Sequence, residues 1–296
     1  MIDMLIDARR RDLGGFEVGR VLPFAKRRMV GPFVFLDHMG PASFEPGAGI
    51  DVRPHPHIGL STVTYLFAGE ILHQDSLGYR LAIRPGEVNW MTAGRGIVHS
   101  ERTDRQTRLE GGPLHGMQAW VALPVEDEEV EPEFRNHPQE DLPTYQEGGL
   151  WARLIAGSAF GATAKVKTHS PLFYVHWELQ MGTTAGIPAE YSERAAYVAR
   201  GSVEIDGRPL GEGQMAVLSP GQTVPVRALT PATVMLLGGE PVGERILWWN
   251  LVSHSQDRID QAKADWKAGR MALPPTDDGE FIPLPDDPQP PPEPGS

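Results

Sequence analysis

The chain contains no cysteine. Disulfide frameworks, zinc–thiolate sites and thiol nucleophiles are therefore excluded together. No apolar run reaches the roughly 18 residues that a membrane-spanning helix needs. The opening Met1-Ile2-Asp3-Met4-Leu5-Ile6-Asp7 has no apolar stretch of signal-peptide length. A cytoplasmic protein with no membrane partner is expected. Positive charge is also scarce: 27 lysines and arginines face 39 aspartates and glutamates, a formal net charge of −12. That balance argues against a broad phosphate-binding surface and against direct nucleic-acid binding. Two basic clusters, Arg9-Arg10-Arg11 and Lys26-Arg27-Arg28, run the other way and read more simply as solvated loop or strand-edge residues than as an anion site.

What the chain has in quantity is turn chemistry, with 33 glycines and 28 prolines in 296 residues. Outside the C-terminal tail they separate short apolar runs, which favours many strands over long helices. Strands are expected at Phe33 to Leu36, Thr62 to Phe67, Arg80 to Ile83, Val88 to Met91 and Met117 to Leu123. They resume at Trp151 to Ile155, Leu172 to Leu179, Tyr197 to Ala199, Met215 to Leu218 and Val234 to Leu237. Between them, residues 125 to 148 are acidic and contain prolines. They read as a connection, with the run from Glu126 to Glu131 solvated. The second half echoes the first: Tyr65-Leu66-Phe67-Ala68-Gly69 is similar to Tyr197-Val198-Ala199-Arg200-Gly201, and Pro85-Gly86-Glu87-Val88 to Glu212-Gly213-Gln214-Met215. Repetition in fixed order suggests two copies of one β-barrel. Ser253-His254-Ser255-Gln256 offers a capped start for a helix over about 255 to 269, with Ile259, Ala262, Lys263, Trp266 and Met271 on one face and Gly269 as its stop. The segment from Pro283 to Ser296 is proline-rich and is expected to be extended or disordered.

Two short pieces carry the chemistry. His55-Pro56-His57 and His99-Ser100-Glu101 each place two metal-grade side chains one residue apart in strand-like sequence. Residues i and i+2 of a strand share a face. If the two strands are neighbours, His55, His57, His99 and Glu101 converge on one point. Three imidazoles and a carboxylate suit a first-row transition metal with open positions for other ligands. Iron(II) is favoured, with manganese, nickel, copper or zinc as alternatives. Glu101 has a second role open to it, as the base that takes a proton from a substrate hydroxyl. In the second copy the matching positions are Ile187, Ala189, Val226 and Ala228, so only the first can bind metal. Of the other histidines, His38 and His115 either line the pocket or orient a metal ligand, or, more simply, pack and hydrogen-bond; His73, His137, His169, His176 and His254 read as structural or surface.

At these residues the sequence resembles the pirin family, a bicupin branch of the cupin superfamily. The resemblance rests on Phe33 to His38, His55-Pro56-His57, the run from Gly86 to Glu101 that includes Trp90-Met91-Thr92-Ala93-Gly94-Arg95-Gly96, Leu114 to Trp120, and Trp248-Trp249-Asn250. It implies an all-β fold of two jelly-roll barrels with a short C-terminal helix: a metal-binding cupin over 1–135, a cupin without ligands over 136–250, and a helix and tail over 251–296. Its metal ligands fall on His55, His57, His99 and Glu101. It implies either a dioxygenase of the quercetin 2,3-dioxygenase type, taking a small aromatic substrate and dioxygen, or a metal- or redox-sensing regulator that binds a protein partner. One departure stands out. Ile58-Gly59-Leu60-Ser61 occupies a stretch where pirin-like chains often carry arginine and glutamate, which would make the pocket mouth less charged.

Overall fold

A computed structural model describes residues 1–12 and 16–285, and these are almost wholly strands and turns. The first half holds β1 (Ile2–Asp7), β2 (Arg9–Asp12), β3 (Glu17–Leu22), β4 (Phe33–Phe44), β5 (Asp51–His57), β6 (Leu60–Ala68), β7 (Ile71–Asp75) and β8 (Arg80–Ile83). It continues with β9 (Val88–Thr92), β10 (Ile97–Arg102), the short helix α1 (Arg105–Glu110), β11 (Gly112–Ala122) and β12 (Glu133–His137). The second half holds β13 (Thr144–Glu147), β14 (Leu150–Ala159), β15 (Ala162–Thr163), β16 (Leu172–Leu179), β17 (Thr184–Ile187), β18 (Glu193–Arg200) and β19 (Ser202–Ile205). It ends with β20 (Arg208–Gly211), β21 (Gln214–Leu218), β22 (Val224–Ala228), β23 (Ala232–Gly239), β24 (Ile246–Trp248), β25 (Leu251–Ser253) and α2 (Gln256–Lys267).

The strands build two barrels on one plan. The first sets the sheet β12-β9-β6-β11-β4-β3-β2 against β5-β10-β7-β8; the second sets β1-β21-β18-β23-β16-β14-β13 against β17-β22-β19-β20. The repeat holds residue by residue. Tyr65 pairs with Met117 across β6 and β11, and Tyr197 pairs with Met235 across β18 and β23. The turns after both strands need glycine: Gly69 and Gly201 sit at φ 85° and 77°, and a Cβ on either would collide with the carbonyl of Pro113 or Pro231.

The halves are also interleaved. β1 pairs with β21 and so edges the second barrel, while β24, β25 and α2 fold back on the first, where Ile58, Leu251, Ile259 and Ala262 share a core. The expected boundary at 135 falls inside β12, which edges the first barrel by pairing with β9. The expected connection at 125–148 is more ordered than its composition suggests, since β12 and β13 each add an edge strand. Nor is its acidic run wholly solvated. Glu128 is buried against Arg245 at 3.0 Å and accepts from Ser253 Oγ at 2.7 Å. Helix α2 starts where the cap was expected, with Ser255 Oγ accepting from Arg258 N, and buries Ile259, Ala262 and Trp266. Residues 286–296, which hold most of the proline-rich tail, lie outside the described residues.

Three apolar regions decide where a site can form. The largest lies between the barrels, where the alternate faces of β4, β6, β11, β16, β18 and β23 meet around Tyr65, Met117, Tyr174, Tyr197 and Met235. The interior of the second barrel is filled by one cluster around Trp177, Ile187, Val226 and Leu236. The interior of the first is divided into two smaller clusters, one around Trp120 and Met91, the other around Leu66 and Ile83. Polar groups occupy the gap. Among the described residues no helix is long and apolar enough to cross a membrane.

Candidate metal centre

The gap in the first barrel is where β5, β10 and β7 run side by side. Register sets His99 opposite His55 and also opposite Asp75, and Glu101 opposite His73. Ligand atoms of His55, His57 and His99 lie within 4.8 Å of one another, and all three side chains are buried. Glu101 is not part of that close group. Its Oε1 accepts from Gln118 Nε2 at 2.7 Å and from Thr64 Oγ1 at 3.5 Å. A register shift on β5 separates it from the histidines: two steps along β10, from His99 to Glu101, match three along β5, from His55 to Val52. Glu101 still faces the same cavity as His55, and its charge favours a proton there.

The hydrogen bonds fix which ring nitrogen each histidine offers. His55 Nδ1 donates to Arg53 O at 2.8 Å and His57 Nδ1 donates to Asn250 O at 2.9 Å, which leaves both Nε2 atoms as lone pairs. For His99 the chain is longer. Asp75 Oδ2 accepts from His73 Nε2 at 2.8 Å, so His73 Nδ1 is the acceptor for His99 Nδ1 at 3.4 Å, and His99 Nε2 is likewise bare. His57 Nε2 and His99 Nε2 then face each other at 3.2 Å with no proton between them. Two opposed lone pairs in a buried site are unfavourable unless a cation lies beside them. Burial also holds His57 and His99 well below the ordinary histidine range and lowers His55, so the rings are neutral and ready to ligate at pH 7. The donor set therefore fits a divalent transition metal on its own chemistry.

His73 and Asp75 complete the hydrogen-bond chain to His99, and spacing alone missed them. The i, i+2 rule applied to His73-Gln74-Asp75 would have placed both on the face of His99, but only with β7 known to neighbour β10. His38 and His115 do not line the cavity. They bond to each other at 2.8 Å at the joint between barrels, where His38 also meets Tyr197 OH at 2.8 Å. His176 mirrors His38 there, with Tyr65 OH at 2.9 Å, and His169 and His254 bind Asp127 and Glu128.

Above the histidines opens a cavity of about 600 Å³. One wall is the stacked pair Phe35 and Trp120, with ring centroids 3.9 Å apart and Arg20 lying over Phe35. Trp249 closes another side from the turn between β24 and β25, at φ 52°, a conformation that a bulky residue adopts only under constraint. The neighbouring Asn250 supplies the carbonyl that orients His57. The mouth is not poor in charge. Ile58 and Leu60 are buried in the core and Ser61 bonds to Thr92, so the departure at 58–61 faces away from the cavity. Arginines from the two basic clusters line it: Arg9 and Arg11 from the edge strand β2, as expected, and Arg28 from a loop, with Arg11 and Arg28 exposed.

Comparisons with known proteins agree with this geometry. The pirin family model matches residues 15–121, and the pirin C-terminal cupin domain model matches 174–272. A pirin-like protein of Caulobacter vibrioides is 66% identical over 289 residues, 97% of this chain and 100% of its own length. A Pseudomonas aeruginosa protein, provisionally named a quercetin 2,3-dioxygenase, is 41% identical across 89% of this chain and 83% of its own. The crystal structure of a quercetin 2,3-dioxygenase from Acinetobacter baumannii superposes with a TM-score of 0.89 at 34% identity, covering 97% of both chains. The paired cupin barrels, the histidine group in the first of them and these matches across nearly the full length together make the chain a member of the pirin family.

Proposed function

We propose that this chain is a cytoplasmic, metal-dependent dioxygenase of the quercetin 2,3-dioxygenase type, acting on a flavonol or a related enolic aromatic. The observation that carries the proposal is the convergence of three bare imidazole Nε2 atoms beside an aromatic-walled cavity that His55 and Glu101 line. The volume of about 600 Å³ falls within the roughly 300–1,000 Å³ typical of small-molecule sites. His55, His57 and His99 would hold the metal, with Glu101 as the fourth ligand, and iron(II) is the first choice over manganese, nickel, copper or zinc. Such an ion, when bound, supplies Lewis acidity toward a substrate oxygen and electron exchange with dioxygen.

The protein's own groups do the rest. Phe35 and Trp120, stacked on each other, give the cavity an aromatic wall against which a fused aromatic ring can pack. Glu101 Oε1, steadied by Gln118, accepts the proton of the substrate hydroxyl and stores it while the ring is oxidised. His73 and Asp75 keep His99 in the ligating tautomer, and Asn250 does the same for His57. Buried apolar neighbours such as Met91 and Ile97 limit water around the floor.

The test is to load the metal-free protein anaerobically with each metal in turn, add quercetin and then oxygen, and follow flavonol loss and carbon monoxide release. Turnover with at least one metal is expected, and Glu101→Gln should lower kcat by about 10²–10⁴-fold. No turnover with any of them would remove the enzymatic assignment for that substrate and turn attention to the regulatory role.

A further inference from the structure

The mouth of the cavity carries charge of the wrong sign for a chain this acidic. β2 is an edge strand, so Arg9 and Arg11 share one face and Arg10 takes the other, where it meets exposed Glu17 at 3.5 Å. Both inward arginines line the cavity, together with Arg20 from β3 and Arg28 from the loop that follows it. Arg9 stands directly opposite Arg20 in the β2–β3 ladder. Like charges placed face to face in a sheet repel; Asp37 answers the charge of Arg20, whereas Arg9 donates to the carbonyl of Pro23 and has no carboxylate bonded to it among the described residues.

The lining carboxylates do not cancel it. Asp37 is held by Arg20 through two hydrogen bonds of 2.9 and 2.8 Å, and Asp51 is held by Arg108 at 2.8 Å. Arg9 and Arg11 bear on Asp37 only through space, as charges that oppose the effect of its burial. Glu101 sits at the floor beside His55. A surplus of guanidinium charge therefore rings an aromatic-walled cavity that His55 and Glu101 also line.

We propose that the substrate of this site carries an oxyanion substituent, a carboxylate or a sulfo group, which Arg9, Arg11 and Arg28 bind at the mouth while its enolic end reaches the metal floor. The inference rests on the dioxygenase assignment for the floor, but it concerns binding and can be measured without turnover. Guanidinium forks match carboxylate oxygens in pairs and form charge-assisted bonds roughly twice as strong as neutral ones. An unsubstituted flavonol leaves that surplus unmet.

Nickel(II)-loaded protein kept free of oxygen is titrated with 3-hydroxyflavone, its 4′-carboxylate and its 4′-sulfonate at low salt, with tryptophan fluorescence or calorimetry giving each Kd. At least one anionic derivative should bind about tenfold or more tightly than the parent. The preference should shrink as sodium chloride is raised. It should fall toward unity in the double variant Arg11→Gln, Arg28→Gln, whose two side chains are exposed and carry little of the fold. Equal affinity for parent and derivatives, a preference that survives in the double variant, or binding of none of the three would overturn the proposal. A strong preference without turnover in the aerobic assay would remove the dioxygenase assignment and leave the anion site standing. Turnover of the parent with no preference would do the reverse.

Discussion

At the scale of single residues, the identity of the candidate ligands matters less than the direction in which their protons point. Each imidazole has two nitrogens, and a ring that carries its proton on the wrong one cannot ligate. His55 and His57 are set by backbone carbonyls, which no mutation of a side chain removes. His99 is set by His73, and His73 by Asp75. Asp75 is itself pinned, because its Oδ1 accepts from Leu77 N at 2.9 Å and Tyr79 N at 3.1 Å in the following turn. Asp75→Asn is therefore informative. Its amide oxygen can go on serving the turn, while its amide nitrogen now faces the His73 N–H and drives that ring to the other tautomer. His99 would then be offered an N–H instead of an acceptor, and its proton would move to the ligating nitrogen. Metal affinity measured by chelator competition is expected to fall by about 10–100-fold, with an unchanged circular dichroism spectrum. Unchanged affinity would mean that the relay does not set the tautomer. The three histidines were legible from spacing alone, because the i, i+2 rule needs only strand character. The relay was not, because it needs the knowledge that β7 lies beside β10. The position of Glu101 shows the same limit from the other side: a one-residue shift in strand register is invisible in spacing, yet it takes the carboxylate out of the close group.

At the scale of elements, short apolar runs marked ten strands, β4, β6, β8, β9, β11, β14, β16, β18, β21 and β23, and most strands without such a run went unmarked. Arg80–Ile83 and Leu172–Leu179 have the expected bounds, and α2 begins at its serine cap. β12 and β13 were missed because an edge strand with one partner can be polar on most positions; all of Thr144–Glu147 is exposed. β1 was missed for a related reason. Its sequence Ile-Asp-Met-Leu-Ile-Asp alternates poorly, and the partner that orders it, β21, lies about two hundred residues away in the other barrel. The structure makes its two faces unequal. Ile6 is 1% exposed and joins the core between the barrels, whereas its neighbour Leu5 is 39% exposed. Ile6→Ala should cost about 2–5 kcal/mol, and Leu5→Ala about 0.5 kcal/mol or less, both read from urea unfolding. Equal effects of the two substitutions would show that β1 does not seat in the second barrel as described.

At the scale of the whole molecule, the repeat turns one barrel into a site and the other into support, and the joint between them is polar at its centre. Two histidine–tyrosine pairs cross it in mirror fashion: His38 with Tyr197, and His176 with Tyr65. His38 also meets His115, and His176 meets Glu178, which Arg200 approaches at 3.2 Å; Arg153 bonds to Tyr65 at 3.3 Å. Burial is the main cause that lowers His38 from the ordinary 6.5 to about 4, and it lowers His115 and His176 as well. The sign of the consequence follows from linkage. Below about pH 6.5 the unfolded chain takes up a proton at position 38, while the folded chain refuses it until about pH 4. Stability is therefore complete above that upper value and is lost as the solution is acidified through the window, by about 3 kcal/mol for His38 at its lower edge. His55, His57 and His99 shift in the same direction, so the effect of the joint has to be separated from theirs. His38→Gln does this, since glutamine keeps a hydrogen-bonding group near Tyr197 and has no proton to gain. Urea unfolding of both metal-free proteins between pH 7 and 4.5 should show the wild type losing its advantage over the variant by about 1.4 kcal/mol per pH unit once below 6.5. A difference that stays constant across the range would mean that His38 is protonated as readily in the joint as in the unfolded chain.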